Sequence, residues 1–539
     1  VSQPPASGPE PAPVPKKSSG LIKNSLINSG FTLISRFLGM GRDLVITAVL
    51  GASGNIAADA YNTALSFPNV FRRIFAEGAF TAAFVPSYSA VLEQEGPEAA
   101  DKLARDALAT LCCMTLVVTV LAQLTMPWLM QYIIRPGFVD TPDKFKLTVV
   151  LTQIAMPYLP CMAIVALLSG VLNARGRFIV SAAVPTILNI VMLIMVWPQR
   201  DPISGAWWGA AGILVAGIGQ AALLVWGVRR VGARIGLSVI PRFSPEVRKL
   251  LWLAIPGALA ASATQINVLV SGFFASAVDG AVSWLQVADR LYQLPLGMVG
   301  VAIGVALLPA LSRAVQAGDH DGAQKTLDNA LIYSMVFTLP AAAALVAIPF
   351  FLIDGLFTRG AFHIYDAQQT ASALLHYGWG VPAFVLTRIL SPAFYARKDT
   401  WGPMRFALVN VVVNLIVGVS MFHLIGVPGL AIGTSAGAWA NVTLMVIALY
   451  RRKLWHLSNR SGAALAKIVL CGGVMGAFLA ACSFYRPVVE APIAAILAGG
   501  VKEIAVVGVC FAGLFLYIAC LFVTGAVRPA ELKAALRRG

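Results

Sequence analysis

Charge is what this sequence has little of. Charged residues fill 12% of its 539 positions, about half the share usual in a soluble domain, while hydrophobic residues take 58% and the mean hydropathy is +0.78. That balance excludes a water-soluble globular protein. Histidine is also sparse, with five residues: His320, His363, His376, His423 and His456. They form no cluster along the chain. The seven cysteines, Cys112, Cys113, Cys161, Cys471, Cys482, Cys510 and Cys520, lie mostly within apolar stretches and show neither metal-ligand spacing with histidine nor a disulfide framework.

The motifs of chemistry are missing too. No G-x-x-x-x-G-K-[ST] phosphate loop, H-E-x-x-H metal motif or G-x-S-x-G elbow occurs, so no enzyme or required cofactor is expected, and no metal ligand is assigned. The formal charge of +16 would suggest nucleic acid in a soluble protein. In so apolar a chain its placement matters more than its sum, and no nucleic-acid partner is expected.

What is present is a series of apolar segments. Many reach the roughly 20 residues a helix needs to cross a hydrocarbon core about 30 Å thick. We read fourteen spans in an all-α polytopic membrane protein: 26–51, 61–92, 103–133, 147–173, 179–198, 204–228, 247–276, 282–312, 326–356, 368–394, 404–424, 428–450, 463–485 and 494–525. The second is the weakest by hydropathy, because Asn62, Asn69, Arg72, Arg73 and Glu77 fall within it.

Connection charges check the count. Links after even-numbered spans hold Arg175 and Arg177; Arg229, Arg230, Arg234 and Arg242; Arg313 and Lys325; Arg397, Lys398 and Arg405; and Arg451, Arg452, Lys453 and Arg460. Links after odd-numbered spans hold fewer cations, mainly Arg135, Lys144, Lys146, Arg200, Arg359 and Arg486. The positive-inside rule then places both termini in the cytoplasm, and the basic tail with Arg528, Lys533, Arg537 and Arg538 agrees.

The chain also echoes itself. Leu159-Pro160, Ser169 and Asn173-Ala174-Arg175 return at one shared offset as Val381-Pro382, Ser391 and Tyr395-Ala396-Arg397, and Val85-Pro86 with Ser89 returns at nearly the same offset as Leu308-Pro309 with Ser312. Two parallel repeats, common in transporters, are expected. The expected units are a proline-rich disordered leader over 1–20, one lobe over 21–230 with spans 1–6, a second over 231–455 with spans 7–12, and spans 13 and 14 with the tail over 456–539. The last pair serves either as a lipid-facing groove or as a packing appendage.

Against this background the charges inside spans stand out. Arg36, Arg42, Arg72, Arg73 and Arg290 interrupt apolar sequence together with Asp43, Asp59, Glu77 and Asp289. An arginine at the middle of a bilayer costs roughly 2.5–3.5 kcal/mol even on insertion scales. Helical spacing returns Arg36 and Asp43 to nearly one face while Arg42 projects elsewhere, and sets Arg73 and Glu77 at i and i+4 for pairing. Arg290 is placed to approach from the other lobe. A water-filled cationic cavity for an anionic passenger explains the set, since arginine offers a fixed donor fork to phosphate oxygens. Helix-holding ion pairs and interfacial snorkelling are the plainer readings. Pro68, Pro86, Pro256, Pro295 and Pro309, with Gly39, Gly41, Gly78, Gly297, Gly300 and Gly304, supply bends and close approach near these charges.

Two stretches carry a family resemblance. Ser35-Arg36-Phe37-Leu38-Gly39 with Gly41-Arg42-Asp43, and Pro68-Asn69-Val70-Phe71-Arg72-Arg73-Ile74-Phe75-Ala76-Glu77-Gly78-Ala79-Phe80 running on to Ala83-Phe84-Val85-Pro86, resemble the MurJ/MviN lipid II flippases. Ala288-Asp289-Arg290-Leu291 and Leu308-Pro309 extend the likeness, which covers roughly residues 21–525. It implies a two-lobed exporter fold related to multidrug and polysaccharide carriers, with an added helix pair. The implied activity moves lipid II, the undecaprenyl-diphosphate-linked muropeptide, from the cytoplasmic to the periplasmic leaflet of the bacterial inner membrane by alternating access.

The likeness carries substrate-binding roles onto Arg36, Arg42, Arg72 and Arg290. Asp43 and Asp59 match positions tied to activity or to the outer gate. Arg73, Glu77, Asp289 and Gln293 complete the candidate charge network, although Gln293 is neutral where some relatives are acidic. The implied dependence is on membrane potential and an unidentified coupling ion; the implied partners are lipid II, membrane lipids and peptidoglycan-synthesis proteins, with a functional monomer. An exporter of another polyprenyl-diphosphate-linked oligosaccharide and a cell-wall assembly scaffold remain the alternatives.

Overall fold

A computed structural model describes residues 19–73, 79–236, 240–496 and 499–526. The expected leader before residue 19, Glu77 and the basic tail beyond 526 lie outside the described residues. Every regular element described is helical. α1 (Ser19–Leu50), α2 (Ala57–Arg72), α3 (Ala79–Gln94), α4 (Pro97–Leu129), α5 (Pro142–Ala155), α6 (Tyr158–Ala174), α7 (Phe178–Val196) and α8 (Pro202–Arg230) form one set. α9 (Pro245–Ala275), α10 (Ala281–Gln316), α11 (His320–Ala347), α12 (Pro349–Phe357), α13 (Ile364–Gly378), α14 (Val381–Tyr395), α15 (Trp401–Ile425) and α16 (Pro428–Arg451) form a second. α17 (Asn459–Phe484), α18 (Arg486–Ala494) and α19 (Val501–Val523) follow.

The helix starts repeat with the sequence echo. Ala57, Pro97, Pro142, Tyr158 and Phe178 open α2, α4, α5, α6 and α7; Ala281, His320, Ile364, Val381 and Trp401 open α10, α11, α13, α14 and α15 in the same order and at a nearly constant offset. Both repeats break one predicted span at the same place. Pro157 precedes α6 and Pro382 sits in the first turn of α14, positions where a ring without an N–H starts a helix readily but would cut a running one. Polar caps start other helices: Asp201 accepts from the Ser204 N–H, Ser244 from Val247, Asp319 from Gly322 and Ser458 from Ser461, satisfying amides that have no partner inside a helix.

Two buried clusters largely follow the two sets, although α9 also packs on α3. Leu50, Tyr61, Phe84, Tyr88, Leu108, Leu172 and Leu224 belong to one buried cluster of the first set; Trp284, Phe351, Ile353, Phe362 and Leu374 anchor another in the second. α17 lies along α11, and α19 packs on α12 and α17, so the added pair belongs with the second set. Close approach rests on small residues where α15 crosses α16: a Cβ on Gly433 would stand 2.4 Å from the Gly418 Cα, which no side chain tolerates.

Among the described residues, nine helical stretches are long and apolar enough to cross a membrane, α4, α7, α8, α11, α15, α16, α17 and α19 among them, with α5 and α6 together making one. The chain is a multi-pass membrane protein. The large apolar side chains on their outer faces, such as Leu124, Phe337, Ile416, Phe511 and Phe515, are exposed, as lipid-facing residues must be where hydrocarbon replaces water. α1, α2 and α10, which carry the predicted intramembrane charges, are not among the nine.

Candidate functional site: a cationic cleft under a sealed end

α1, α2 and α10 bring most of the predicted charges together through their side chains. Arg42 is buried at 6% exposure, and its Nε and Nη2 both reach Asp43 Oδ1, at 3.0 and 2.6 Å. Asp43 Oδ2 lies 3.6 Å from Arg290 Nε. One carboxylate thus joins a guanidinium from each set of helices. The spacing argument set Arg42 apart from Asp43 and put Arg36 on Asp43's face. The structure corrects this: a long side chain folds back on its neighbour, and Arg36 turns elsewhere.

Arg36 lies across α10, over Gly297, where an added Cβ would come 2.7 Å from its guanidinium. Glycine is needed there for approach rather than for backbone freedom. Arg72, in the last turn of α2, donates from Nε to Asn69 Oδ1 at 2.9 Å, and the charges of Arg73 and Arg290 act on it. Arg73 feels Asp289 and Tyr292 across on α10. Gln293 Nε2 donates to Asp289, so this neutral residue orients the neighbouring carboxylate. The expected partner of Arg73, Glu77, is outside the described residues.

Two groups went unnoticed in the sequence. Arg388, on α14, is exposed and close enough to Arg36 and Tyr292 to interact electrostatically; it extends the cationic wall on the second set. Tyr292 stacks on Tyr377 and Phe384 with ring centroids 4.9 and 5.3 Å apart, an aromatic surface beside those arginines. A narrow cleft lined by Asp43, Tyr61, Asn62, Leu65, Gln286 and Arg290 continues from the cluster toward Leu50 and Phe357. The Tyr61 hydroxyl, buried, has no hydrogen-bond partner among the described residues.

Asp59 is elsewhere. It starts α2, thirteen residues and about 20 Å of helix from Arg72, at the end where the two sets close on each other. Its carboxylate is fully buried and accepts from Lys144 Nζ at 2.7 Å, the Gly280 N–H at 3.0 Å, the Ser283 N–H at 3.0 Å and Ser283 Oγ at 2.7 Å. Asp59 therefore caps α10 from across the interface, with the helix dipole adding to the attraction. Lys144 also reaches Asp279 at 2.8 Å and lies over the Phe138 ring. Asn62 Nδ2 bonds Ser283 Oγ one turn deeper.

Lys144 and Arg135 read as free loop cations by sequence. Both are buried: Arg135 donates to Thr63 Oγ1 and the Ile134 carbonyl and packs on Gly272. The links between odd spans and their successors therefore hold even less free positive charge than the residue tally suggests.

At the opposite, basic end, Asp399, Trp401, Arg405, Phe406 and Arg452 line a separate surface cleft. The Arg452 guanidinium, 2.5 Å away, holds the Asp399 carboxyl below its ordinary range, with the Gly402 N–H assisting. Among the described residues no group of three or more His, Cys, Asp or Glu has the geometry of a metal site.

Two repeated helical sets form a fold that this chain shares with solved multidrug transporters. An inward-facing multidrug resistance MATE transporter of the MOP superfamily has this fold, with a TM-score of 0.61 at 14% identity over 80% of this chain and 98% of that one. A structure titled "Lipid II flippase MurJ, inward closed conformation" is nearer, with a TM-score of 0.74 at 22% identity over 93% of this chain and all of that one. The family model described as "Lipid II flippase MurJ" matches residues 46–493. A protein of Rhizobium tropici named "Probable lipid II flippase MurJ" is 39% identical over 84% of this chain and 86% of its own length, and "Lipid II flippase MurJ" of Burkholderia cenocepacia is 32% identical over 81% and 85%. The chain belongs to the MurJ family.

Proposed function

We propose that the protein moves lipid II from the cytoplasmic to the periplasmic leaflet of the bacterial inner membrane, by alternating access and without covalent chemistry. One observation carries the reading: guanidiniums from both sets of helices come together, Arg42 and Arg290 on the shared Asp43 carboxylate and Arg36 over Gly297 of α10 within electrostatic reach of Arg388. A diphosphate suits that cluster, because paired N–H donors at fixed spacing match its oxygens. The sugar-peptide headgroup occupies the wetter part of the cleft, and the polyprenyl tail stays in the bilayer or along α17 and α19.

The positive-inside rule assigns the Arg175, Arg229, Arg397 and Arg451 end to the cytoplasm. Asp59 then lies on the periplasmic side, and the conformation is closed outward with both termini inside. Lipid II enters laterally from the inner leaflet; separation of the two helical sets at the Asp59 end releases it. Membrane potential drives the step, each charge carried through 100 mV contributing about 2.3 kcal/mol, with an unidentified ion as the coupling partner. A functional monomer delivers the substrate to peptidoglycan-synthesis proteins.

The test is leaflet exposure of lipid II in vesicles containing the purified protein under an imposed potential. Wild type accelerates exposure; Arg42→Ala and Arg290→Ala, reconstituted at equal density, do not. Wild-type vesicles no faster than empty ones sink the proposal. Competition by another polyprenyl-diphosphate-linked oligosaccharide at equal potency would reassign the headgroup.

A further inference from the structure

Asp366 is a buried carboxylate that the cationic cleft does not use. It sits in the first turn of α13 and is fully buried. Oδ1 accepts from the Ser53 N–H at 3.0 Å, Ser53 Oγ at 2.5 Å and Trp284 Nε1 at 2.8 Å, and Oδ2 from the His363 N–H at 3.2 Å. Ser53 belongs to the link between α1 and α2, so the first two bonds cross between the helical sets. None of these donors is a cation.

The repeat gives this contact a counterpart. Asp366 occupies in the second repeat the place that Lys144 occupies in the first, because the offset between them is the one that relates α13 to α5. Lys144 reaches from α5 to Asp279, in the link before α10; Asp366 reaches from α13 to Ser53, in the link before α2. The neighbouring contacts repeat as well. Gly137 donates to Ser276 Oγ at the end of α9, while Ala361, beside Gly360, donates to the Ala48 carbonyl at the end of α1. Side chains are excluded at both glycines, since a Cβ would stand 2.4 Å from the Ser276 carbonyl oxygen and 2.2 Å from the Ala48 one. Asp59 on Ser283 lies between the two contacts, joining equivalent helix starts.

We propose that Asp366 and Ser53 form a second latch on the outer end, pseudo-symmetric to the Lys144 latch and built from neutral donors instead of an ion pair. Each carboxylate keeps a partner within its own set when the sets part. Asp59 retains Lys144, and Asp366 retains Trp284 and the His363 amide. Neither is left as a bare buried charge, the condition that makes breaking buried pairs prohibitive. The end therefore opens and recloses reversibly, and the Asp366 side, with no Coulombic attraction to overcome across the interface, separates more easily than the Lys144 side.

The test uses the full chain in phosphatidylethanolamine and phosphatidylglycerol vesicles, with the seven native cysteines replaced. Spin labels at the exposed positions Asp140 and Ile364 report the separation of the two sets at this end. Ser53→Ala removes one cross-interface donor and leaves every bond within the second set; it is expected to raise the separated fraction at least about tenfold, the scale of one hydrogen bond to a charged group. In a second arm, Ser53→Cys with Asp366→Cys is oxidised: the pair cross-links, lipid II exposure falls to the empty-vesicle rate, and reductant restores it. An unchanged distance distribution in Ser53→Ala, a pair that does not cross-link, or cross-linked protein that still exposes lipid II at the uncross-linked rate each overturns the proposal. The distance arm is independent of the cargo, so its failure is distinguishable from failure of the lipid II reading.

Discussion

At mid-height the molecule brings Arg42 and Arg290 of the two helical sets onto one carboxylate, Asp43; at the Asp59 end it encloses carboxylates in donors. Arg290, with 32% of its side chain exposed, shares Asp43 with Arg42, whereas Asp59, with none exposed, accepts from four donors. The difference is one of hydration. Cations with too few internal anions are tolerable where water or a ligand solvates them, and a buried carboxylate is tolerable only when its lone pairs are filled. One region is built to receive a charge, the other to withhold its own from water.

The sharpest way to break that contrast is to unbalance the sealed end. Lys144→Met leaves Asp59 buried without its cation and is expected to cost about 3 kcal/mol of closed-state stability, read as a lower melting temperature and a larger separation between spin labels at Asp140 and Ile364. No change in either would mean that the Lys144 contact is ornamental. In the cleft, Arg290→Ala and Arg42→Ala are expected to slow lipid II exposure at least about 100-fold, or about 2.7 kcal/mol, without lowering the melting temperature by the same amount. A parallel loss of stability would make the cleft resemble the seal.

Replacing Arg42 or Arg290 by lysine keeps the charge and removes the fork, and an approximately tenfold slowing is expected. Full activity would reduce the site to a positive field without geometry. The smallest effect is reserved for Gly297→Ala, whose new methyl displaces the Arg36 guanidinium; about a twofold to threefold rise in the lipid II concentration for half-maximal rate is expected, with the limiting rate unchanged.

These two regions were unequally legible in the sequence. Arg36, Arg42, Arg72 and Arg290 are conspicuous because ionisable residues are rare in apolar helices, and the repeat showed in Leu159-Pro160 and Val381-Pro382 because the same broken helix is built twice. Lys144, Asp279, Ser53 and Asp366 carry no such mark. Each reads as an ordinary polar residue near a connection, and its meaning arises only when helices from opposite halves of the chain pack end to end. Arg388 escaped for a related reason: its span was assigned by hydropathy, and its proximity to Arg36 is tertiary. The pairing of Arg42 with Asp43 shows the limit of helical-wheel reasoning for long side chains, whose heads travel farther than their Cβ directions suggest.

Asp43 has one more consequence. A guanidinium cage with no anion of its own would bind a diphosphate and be slow to release it, because nothing inside would take its place. With Asp43 already touching Arg42 and Arg290, the proposed function would make loading a swap of one anion for another and unloading the reverse swap, with Asp43 standing in for the proposed cargo.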